Sequence, residues 1–474
     1  MENSDRSKQL IKGTGIYAVG SFGTKILSLI IVPIYTYYVC TADMGIYDTL
    51  MSTISLLAPL ITLQISDAAY KFIISDSGNN DKYIIATLQV LIVNCTIASL
   101  IILALNRLRN IPYCIFFCAV LVLSRTLDTL QKLLRGLKKQ WFFAVSGIIY
   151  TVIFLFLNLL FLCVFHRGVS GLFESAIIAN ICTILVIVLS EKSLRVNLFR
   201  KPDSALILSM YRYSAPLVPN YLNWWIINSS DRYIVLYFLG ASATGILAIA
   251  HKFPTMLQSI IGLFNSSWQD LSISESRSDQ AKDKYYSFVF EKFYRLSFTL
   301  LFFLIPFTKL FIFLVMSESY KSSCNYVPFY YLGTVFQGFS SFVGVGFLKS
   351  SETKKAFSSS VFGAVINAAV NIALIKFIGL QAAAVSTFAA FFIMWIIRMR
   401  QTKDVMNLQV KIFSFSLFLS AALVISVLSI SFAVKLNIVL TVIGIVLFII
   451  INRSELKTIC LKAYAAWSSV RARK

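Results

Sequence analysis

Long apolar runs, separated by short charged or turn-rich gaps, recur along the whole sequence. An α-helix needs about 20 apolar residues to cross the hydrocarbon of a bilayer, and most of the runs have that length. Because only helices and closed barrels satisfy their backbone groups in lipid, the runs predict membrane-spanning helices. There are fourteen, at about 10–38, 45–66, 83–105, 111–134, 141–165, 171–190, 213–239, 243–264, 286–316, 324–348, 356–378, 380–397, 411–433 and 436–452.

The sequence around residue 240 repeats the sequence around residue 40. Residues 39–46 align without a gap on residues 239–246, which pairs Gly45 with Gly245. A faint repeat of this kind is typical of transporters built from two halves, although chance similarity between apolar runs is the alternative. The repeat predicts four regions of the chain. They are a six-helix bundle (1–190), a cytoplasmic connection (191–212), a second, pseudo-symmetric six-helix bundle (213–400), and two additional helices with a basic cytoplasmic tail (401–474).

The composition excludes a soluble globular protein, since 58% of the residues are hydrophobic. Of the 43 lysines and arginines, 32 fall in the terminal segments and alternate connections that would share one side, and 6 fall on the other side. Cytoplasmic connections carry such an excess, so both termini are predicted to be cytoplasmic. The same bias accounts for the net charge of +22 without nucleic acid as a partner. The eight cysteines lie mostly inside apolar runs and predict neither a disulfide framework nor a metal site.

Eight charged side chains lie in or near the predicted spans. The cations are Lys25, Arg125, Arg232, Lys252 and Lys309, and the acids are Asp128, Glu174 and Asp231. Each is costly in hydrocarbon and should face a partner or a wet cavity. Lys25 and Lys252 each continue a polar stripe at helical spacing, in the first and eighth predicted helices. They are interpreted as walls of a cationic cavity, with helix–helix seams and snorkelling lysines as the alternative.

The remaining intramembrane charges occur mostly as neighbours in sequence. Arg125 and Asp128 are three residues apart on one predicted helix, so they form either an internal ion pair or a substrate contact. Asp231 and Arg232 are adjacent and are predicted to form a gate or structural ion pair. Lys309 is expected to snorkel outward. No set of residues indicates a catalytic group or a cofactor.

Several motifs resemble those of a known family. They are GTGIYAVG at 13–20, DMGIYD at 43–48, DAAYKF at 67–72, YSAPLVP at 213–219 and SDRY at 230–233. These segments look like those of polysaccharide-biosynthesis flippases, the O-antigen and capsule repeat-unit translocases of the multidrug/oligosaccharidyl-lipid/polysaccharide exporter superfamily. The resemblance extends over nearly the whole chain through the number and order of the helices.

The resemblance implies an alternating-access carrier in the bacterial cytoplasmic membrane. Its substrate would be an undecaprenyl-pyrophosphate-linked oligosaccharide for O-antigen, capsule or exopolysaccharide, and its partners would be membrane lipids, a polysaccharide polymerase and a chain-length regulator. It leaves open whether the coupling ion is H⁺ or Na⁺. The chain departs from relatives in two places, because Lys71 stands where arginine is expected and the second helix has no cation at its middle. A three-cation cluster like that of the lipid II flippases is therefore not expected.

Two other functions are considered beside the flippase. A multidrug or cation antiporter of the same superfamily would need an acidic cavity, whereas the intramembrane charges here have an excess of cations. A membrane polymerase or glycosyltransferase acting on lipid-linked sugars would need a sizeable outer loop, and the predicted outer connections are short. No nucleotide-binding loop is recognisable, so the expected energy source is an ion gradient, the membrane potential or consumption of the product.

Overall fold

A computed structural model describes residues 29–76, 80–198, 200–201, 203–274, 279–350, 352–455 and 457, and every regular element in these ranges is helical. The predicted all-α membrane architecture is therefore confirmed. The helices are α1 (Val32–Tyr38), α2 (Thr41–Thr62), α3 (Ile65–Ser75), α4 (Asn80–Arg109), α5 (Cys114–Gly136), α6 (Gln140–Leu159), α7 (Gly168–Ser190), α8 (Ser204–Ser214), α9 (Val218–Ser274), α10 (Asp279–Val315), α11 (Val327–Lys349), α12 (Thr353–Ile378), α13 (Gln381–Gln401), α14 (Ile412–Ser431) and α15 (Val434–Ile451).

In the described part of the chain, eleven helical segments are long and apolar enough to cross a membrane. The longest, Ser204–Ser272, contains a break at Gly240, where φ is 86° and ψ is 179°. Two of the predicted helices, 213–239 and 243–264, lie on either side of that break. The first predicted helix is described only from residue 29 onward.

Packing divides the chain into two compact units, Met1–Lys252 and Phe253–Lys474. In the first unit a buried apolar cluster joins α3, α4, α5, α7 and α8. Its centre is formed by side chains with almost no exposure, among them Ile84, Leu133, Leu134, Ile187 and Met210. The predicted division into two six-helix bundles with two additional helices stays a prediction.

The second predicted helix is broken where its pattern suggests continuity. Leu63 (φ 45°, ψ 29°) and Gln64 (φ 55°, ψ 28°) are both left-handed and separate α2 from α3. Left-handed backbone costs a residue other than glycine about 1–2 kcal/mol, so the break needs support from elsewhere. Asn94 of α4 donates to the carbonyl oxygen of Ile61 at 2.7 Å, and the Gln64 amide donates to Thr62 Oγ1 at 3.2 Å. The predicted helix 45–66 therefore ends early, because a partner from another helix satisfies the backbone that the break frees.

The connection after α7 is held by Glu191. Its carboxylate accepts from the hydroxyl of Ser193 at 2.6 Å and forms an ion pair with Lys139. Burial by itself raises the pKa of Glu191. The hydrogen bonds from Lys139 and Ser193 lower the pKa by more than burial raises it, so the pKa lies below its ordinary value. The ionised carboxylate thereby ties this connection to the junction between α5 and α6.

Two glycines let α2 and α9 approach until their backbones touch. A Cβ atom built on Gly45 would lie 2.0 Å from the carbonyl oxygen of Ala241, and one on Gly245 would lie 1.9 Å from that of Thr41. These four residues form two pairs at the offset of 200, and each of the two segments makes the same contact on the other. A reciprocal contact of this kind is what a local two-fold axis produces.

In the second unit, a buried arginine joins three helices. Arg398 of α13 donates to the hydroxyls of Ser359 and Ser360 on α12 and to the carbonyl oxygen of Ser340 on α11, each at 3.0 Å. Arg398 is 5% exposed, so these neutral oxygens replace the water that its guanidinium gives up. Large aromatic side chains, including Phe290, Phe336 and Phe339, pack beside these helices.

The last two helices pack on α10. The ammonium group of Lys309 is buried and donates to the carbonyl oxygens of Ser429, Ile430 and Phe432 at the C-terminal end of α14. A cation at that end of a helix is favoured by the helix dipole. Lys309 therefore caps a neighbouring helix, so the expectation that it snorkels outward is wrong. Gly444 of α15 meets α10 closely, since a Cβ there would lie 2.5 Å from the carbonyl oxygen of Phe302.

Replacing Gly45 by alanine should separate α2 from α9. The added methyl group has no space beside the Ala241 carbonyl, and overpacking of this kind costs about 1–3 kcal/mol. We expect a lower unfolding temperature for the detergent-solubilised protein. The matched control is Gly147→Ala in α6, where no atom lies within 4 Å of the new Cβ and stability should be equal or higher. Equal stability of both variants would contradict the close contact.

Replacing Arg398 by alanine should destabilise the second unit by about 3 kcal/mol, because the two serine hydroxyls and the Ser340 carbonyl lose a charged donor. The measurement is the unfolding temperature in detergent. Arg400→Ala, at an exposed position two residues later, is the control and should behave as wild type. A loss as large for Arg400→Ala would show that the buried network is not the cause.

Candidate functional site

Arg232 joins the first part of α9 to α2. Its Nε donates to Asp48 Oδ2 at 2.6 Å, and its Nη1 donates to the carbonyl oxygen of Asn228 at 3.1 Å and to Asp231 Oδ1 at 3.3 Å. The side chains of Arg232 and Asp48 are 13% and 14% exposed. A charged pair this deep in apolar helices is held by both attraction and desolvation, because removing one partner strands the other.

Asp231 also interacts with His251. Its Oδ2 lies 3.0 Å from Nε2 of His251, which is on α9 beyond the break at Gly240. With a side chain only 1% exposed, Asp231 connects the two parts of α9. The Asp231 cluster, meaning Asp48, Asp231, Arg232 and His251, therefore links α2 with both sides of the break.

Further hydrogen bonds continue the contact between α9 and the α2–α3 segment. Trp225 Nε1 donates to the carbonyl oxygen of Ser52 at 3.0 Å, and the hydroxyls of Tyr233 and Thr53 lie 2.6 Å apart. The hydroxyl of Tyr221 donates to Asp67 Oδ2 on α3 at 3.2 Å. Together with the glycine contact and the Asp231 cluster, these bonds form what we call the α2–α9 seam.

A polar pocket of about 430 Å³ lies in the same unit. Its lining comes from α2 and α3 on either side of the helix break, from one face of α5 and from the start of α9. The residues are Ser55, Ala58, Pro59, Thr62, Gln64, Ser66, Arg125, Asp128, Thr129, Lys132 and Tyr221. The i, i+3 and i+7 spacing places Arg125, Asp128 and Lys132 on one side of α5, because a helix turns once every 3.6 residues.

The charges of the polar pocket are paired. Arg125 Nη1 lies 2.9 Å from Asp128 Oδ2, and Lys132 Nζ lies 2.7 Å from Asp67 Oδ1. Lys132 also reaches Gln64 Oε1 at 3.5 Å. The Nε of Arg125 is buried without a hydrogen-bond partner among the described residues. A buried donor of this kind costs about 1–3 kcal/mol unless a ligand or water accepts from it.

The predicted site residues have different outcomes. Lys25 lies outside the described residues, so its predicted place in a cavity stays a prediction. Lys252 follows His251 on α9 and is half-buried, which also leaves its predicted role a prediction. Arg125 and Asp128 are paired with each other, and both line the polar pocket. Asp231 and Arg232 lie 3.3 Å apart, and they also contact His251 and Asp48, respectively; their predicted role as a gate or structural pair stays a prediction.

Sequence reasoning missed several residues of the site. Asp48 belongs to the DMGIYD motif at 43–48, but nothing in the sequence pairs it with Arg232, 184 positions away. Lys132 lies near the end of the predicted helix 111–134, and its helical spacing from Arg125 could have indicated a shared face. Gln64 lines the pocket because it lies at the break between α2 and α3, and the apolar pattern of the sequence does not predict that break. Tyr221 carried no sequence signal.

Two other clefts of the first unit are apolar. One of about 690 Å³ lies between α2, α4 and α5, and its lining includes Leu50, Leu57 and Ile101. The other, of about 260 Å³, lies between α4 and α5. Neither lining includes a charged side chain. The polar pocket is thus suited to a hydrophilic ligand, whereas these clefts are suited to hydrocarbon.

Comparison with solved structures finds the same fold in membrane transporters. A lipid II flippase MurJ in an inward closed conformation matches over 94% of this chain and 99% of its own, with a TM-score of 0.67 and 15% identity. An inward-facing multidrug resistance MATE family transporter of the MOP superfamily matches over 84% and 96%, with a TM-score of 0.66 and 13% identity. An outward-facing transporter of that kind matches over 86% and 96%, with a TM-score of 0.58 and 13% identity.

The helices thus define a polytopic membrane protein that shares the fold of these transporters. The family model described as "Polysaccharide biosynthesis protein" matches residues 10–268, more than half of the chain. The chain belongs to this polysaccharide biosynthesis family. No curated protein sequence matches the chain.

The ion pair between Asp48 and Arg232 should be strongly coupled. Arg232→Met and Asp48→Leu should each cost about 3 kcal/mol, because each leaves a buried charge without its partner. The double variant should cost less than the sum of the single variants, by a coupling energy of about 1–3 kcal/mol. Unfolding of the purified protein, followed by tryptophan fluorescence, measures all three. Additive losses would show that the two side chains act independently.

Proposed function

We propose that the protein is a flippase for lipid-linked oligosaccharides. It moves undecaprenyl-pyrophosphate-linked repeat units from the inner to the outer leaflet of the bacterial cytoplasmic membrane by alternating access, with both termini in the cytoplasm. The translocated repeat units are then built into a surface polysaccharide, which is O-antigen, capsule or exopolysaccharide. A polysaccharide polymerase and a chain-length regulator are the proposed partners.

The polar pocket is the observation that carries this proposal. A lipid-linked oligosaccharide has a hydrophilic headgroup that must avoid hydrocarbon and a polyprenyl tail that can remain there. The pocket offers charged and hydroxyl groups among apolar helices. Membership in the polysaccharide biosynthesis family points to a sugar-bearing cargo. The similar lipid II flippase, by its name, moves a lipid.

The α2–α9 seam is the proposed gate on the outer side. In the predicted topology, the glycine contact and the Asp231 cluster lie toward the outer side of the membrane. An alternating-access carrier must open there, and interactions that can break and re-form as a group suit such a gate. Paired charges and two touching backbones meet that requirement, because water can replace the ion pair when the helices part.

A multidrug or cation exporter is the second candidate, and the charges of the first unit disfavour it. A cationic drug would need a carboxylate that is free to bind it. Asp128 is paired with Arg125, Asp67 with Lys132, and Asp231 with His251. A membrane polymerase or glycosyltransferase is also disfavoured, since the described connections on the predicted outer side are short.

The proposal is tested in a strain that lacks the gene. We expect complete lipid-linked repeat units to accumulate on the cytoplasmic leaflet and the wild-type gene to restore surface polysaccharide. A polymerase defect would instead leave single units on the outer leaflet. Normal surface polysaccharide, together with a loss of efflux of a cationic dye, would overturn the proposal in favour of drug export.

Lys252 and Lys25 should attract the pyrophosphate of the substrate. At an effective dielectric of about 20, a cation and an anion 4 Å apart attract by about 4 kcal/mol. In the complemented strain, we expect Lys252→Ala to lower export at least tenfold and Lys252→Arg to retain part of it, with the same order at Lys25. Exposed Lys435→Ala is the control for a lost charge. Wild-type export by both alanine variants at normal protein levels would mean that the lysines are structural.

A further inference from the structure

The polar pocket is electrically balanced, unlike the cationic cavity expected from the sequence. Two cations, Arg125 and Lys132, face it, and each has a carboxylate partner within 3 Å. Asp128 shares the lining with Arg125, while Asp67 is not among the lining residues and accepts from Lys132 and Tyr221. The two positive and two negative charges cancel. An anion that enters would be attracted by Arg125 and repelled by Asp128 over similar distances.

The lining nevertheless has unused hydrogen-bonding capacity of both kinds. Arg125 and Lys132 line the pocket with partly exposed side chains, and each of these carries several N–H donors. Asp128 keeps half of its side chain exposed, which leaves its carboxylate able to accept. The hydroxyls of Ser55 and Thr62 donate to carbonyl oxygens of their own helix. The lone pairs of Ser55 remain available as acceptors, whereas Thr62 also accepts from the backbone amide of Gln64. Fixed donors and acceptors side by side match a hydroxyl group, which does both.

Tyr221 adds an apolar wall to the pocket. Its hydroxyl is held by Asp67 at 3.2 Å, which restrains the ring where α9 begins to line the cavity. Aromatic side chains supply a large contact area with little loss of conformational freedom, and their ring faces pack well on the C–H faces of sugars. The volume of about 430 Å³ is near the lower end of the range for small-molecule sites.

We infer that the polar pocket takes an uncharged sugar residue of the lipid-linked substrate, one that bears hydroxyl or acetamido groups, and not its pyrophosphate or an acidic sugar. This inference rests on the proposed flippase function. It separates the headgroup into two parts with different sites. Lys252 and Lys25 are the proposed binding partners of the pyrophosphate, while the polar pocket, with the ion pairs of α5, binds the neutral sugar.

Two purified ligands distinguish the two parts of the headgroup. One is undecaprenyl pyrophosphate without sugar, and the other is the lipid-linked repeat unit extracted from the deletion strain. Binding to the purified protein in nanodiscs is followed by tryptophan fluorescence, since Trp224 and Trp225 lie close to Tyr221 in sequence. The variants are Asp128→Asn, Arg125→Gln and the double variant, whose net charges are one higher than, one lower than and equal to that of the wild type.

We expect Asp128→Asn and Arg125→Gln each to weaken the sugar-bearing lipid about tenfold, the loss of one charged hydrogen bond of about 1.4 kcal/mol. Binding of undecaprenyl pyrophosphate should stay within about twofold of wild type in both. The double variant keeps the balance of charge and should bind the sugar-bearing lipid better than Arg125→Gln alone. Tyr221→Phe should retain binding and Tyr221→Leu should lose it, because the ring makes the contact.

Three results would overturn the inference. Tighter binding of both ligands by Asp128→Asn, with weaker binding of both by Arg125→Gln, would assign the pocket to the pyrophosphate. Equal binding of both ligands by every variant would leave the charges as ion pairs within the fold. An extracted repeat unit that loses affinity only when an acidic sugar is removed from it would assign the pocket to that sugar. Failure of the proposed function is seen separately, as a deletion strain that accumulates no lipid-linked oligosaccharide.

Discussion

The contact between Gly45 and Gly245 is the constraint on which the α2–α9 seam depends. Any side chain at either position would meet a carbonyl oxygen at about 2 Å, so the two helices reach this distance only because both residues are glycine. Once the backbones touch, Asp48 comes within reach of Arg232, and Ser52 comes within reach of Trp225. The polar pairs orient and strengthen a contact that the missing side chains allow.

The cost of removing charged side chains from water explains most of the other buried polar contacts described in the two units. Water is scarce between apolar helices, so each buried ionic group must find oxygen or nitrogen partners within the protein. Arg398 is satisfied by two hydroxyls and a carbonyl, Lys309 by the end of a helix, and Asp231 by a histidine and an arginine. These solutions hold helices together. The polar pocket differs because its ion pairs border a cavity.

The break between α2 and α3 connects the fold with the site. Ending α2 at Thr62 brings Gln64 and Ser66 into the lining of the polar pocket beside Arg125 and Lys132. Discontinuous helices in transporters commonly lie where a substrate binds, because freed backbone and redirected side chains can face a cavity. Asn94 stabilises this break from α4. The strained backbone and the pocket are therefore parts of one arrangement.

The sequence by itself determined the helices and several of the buried charges. A span of about 20 apolar residues has few alternatives in lipid, so the all-α fold and most helix ends could be predicted. Asp231 and Arg232 stood out for the same reason, and the repeat aligned Gly45 with Gly245. Only the tertiary structure decided which partners these residues have. Asp48 and Arg232 are 184 residues apart, and the pairing of Lys132 with Asp67 also joins separate helices. Hydrophobic patterning is local along the chain, whereas an ion pair and a helix break depend on what packs against them.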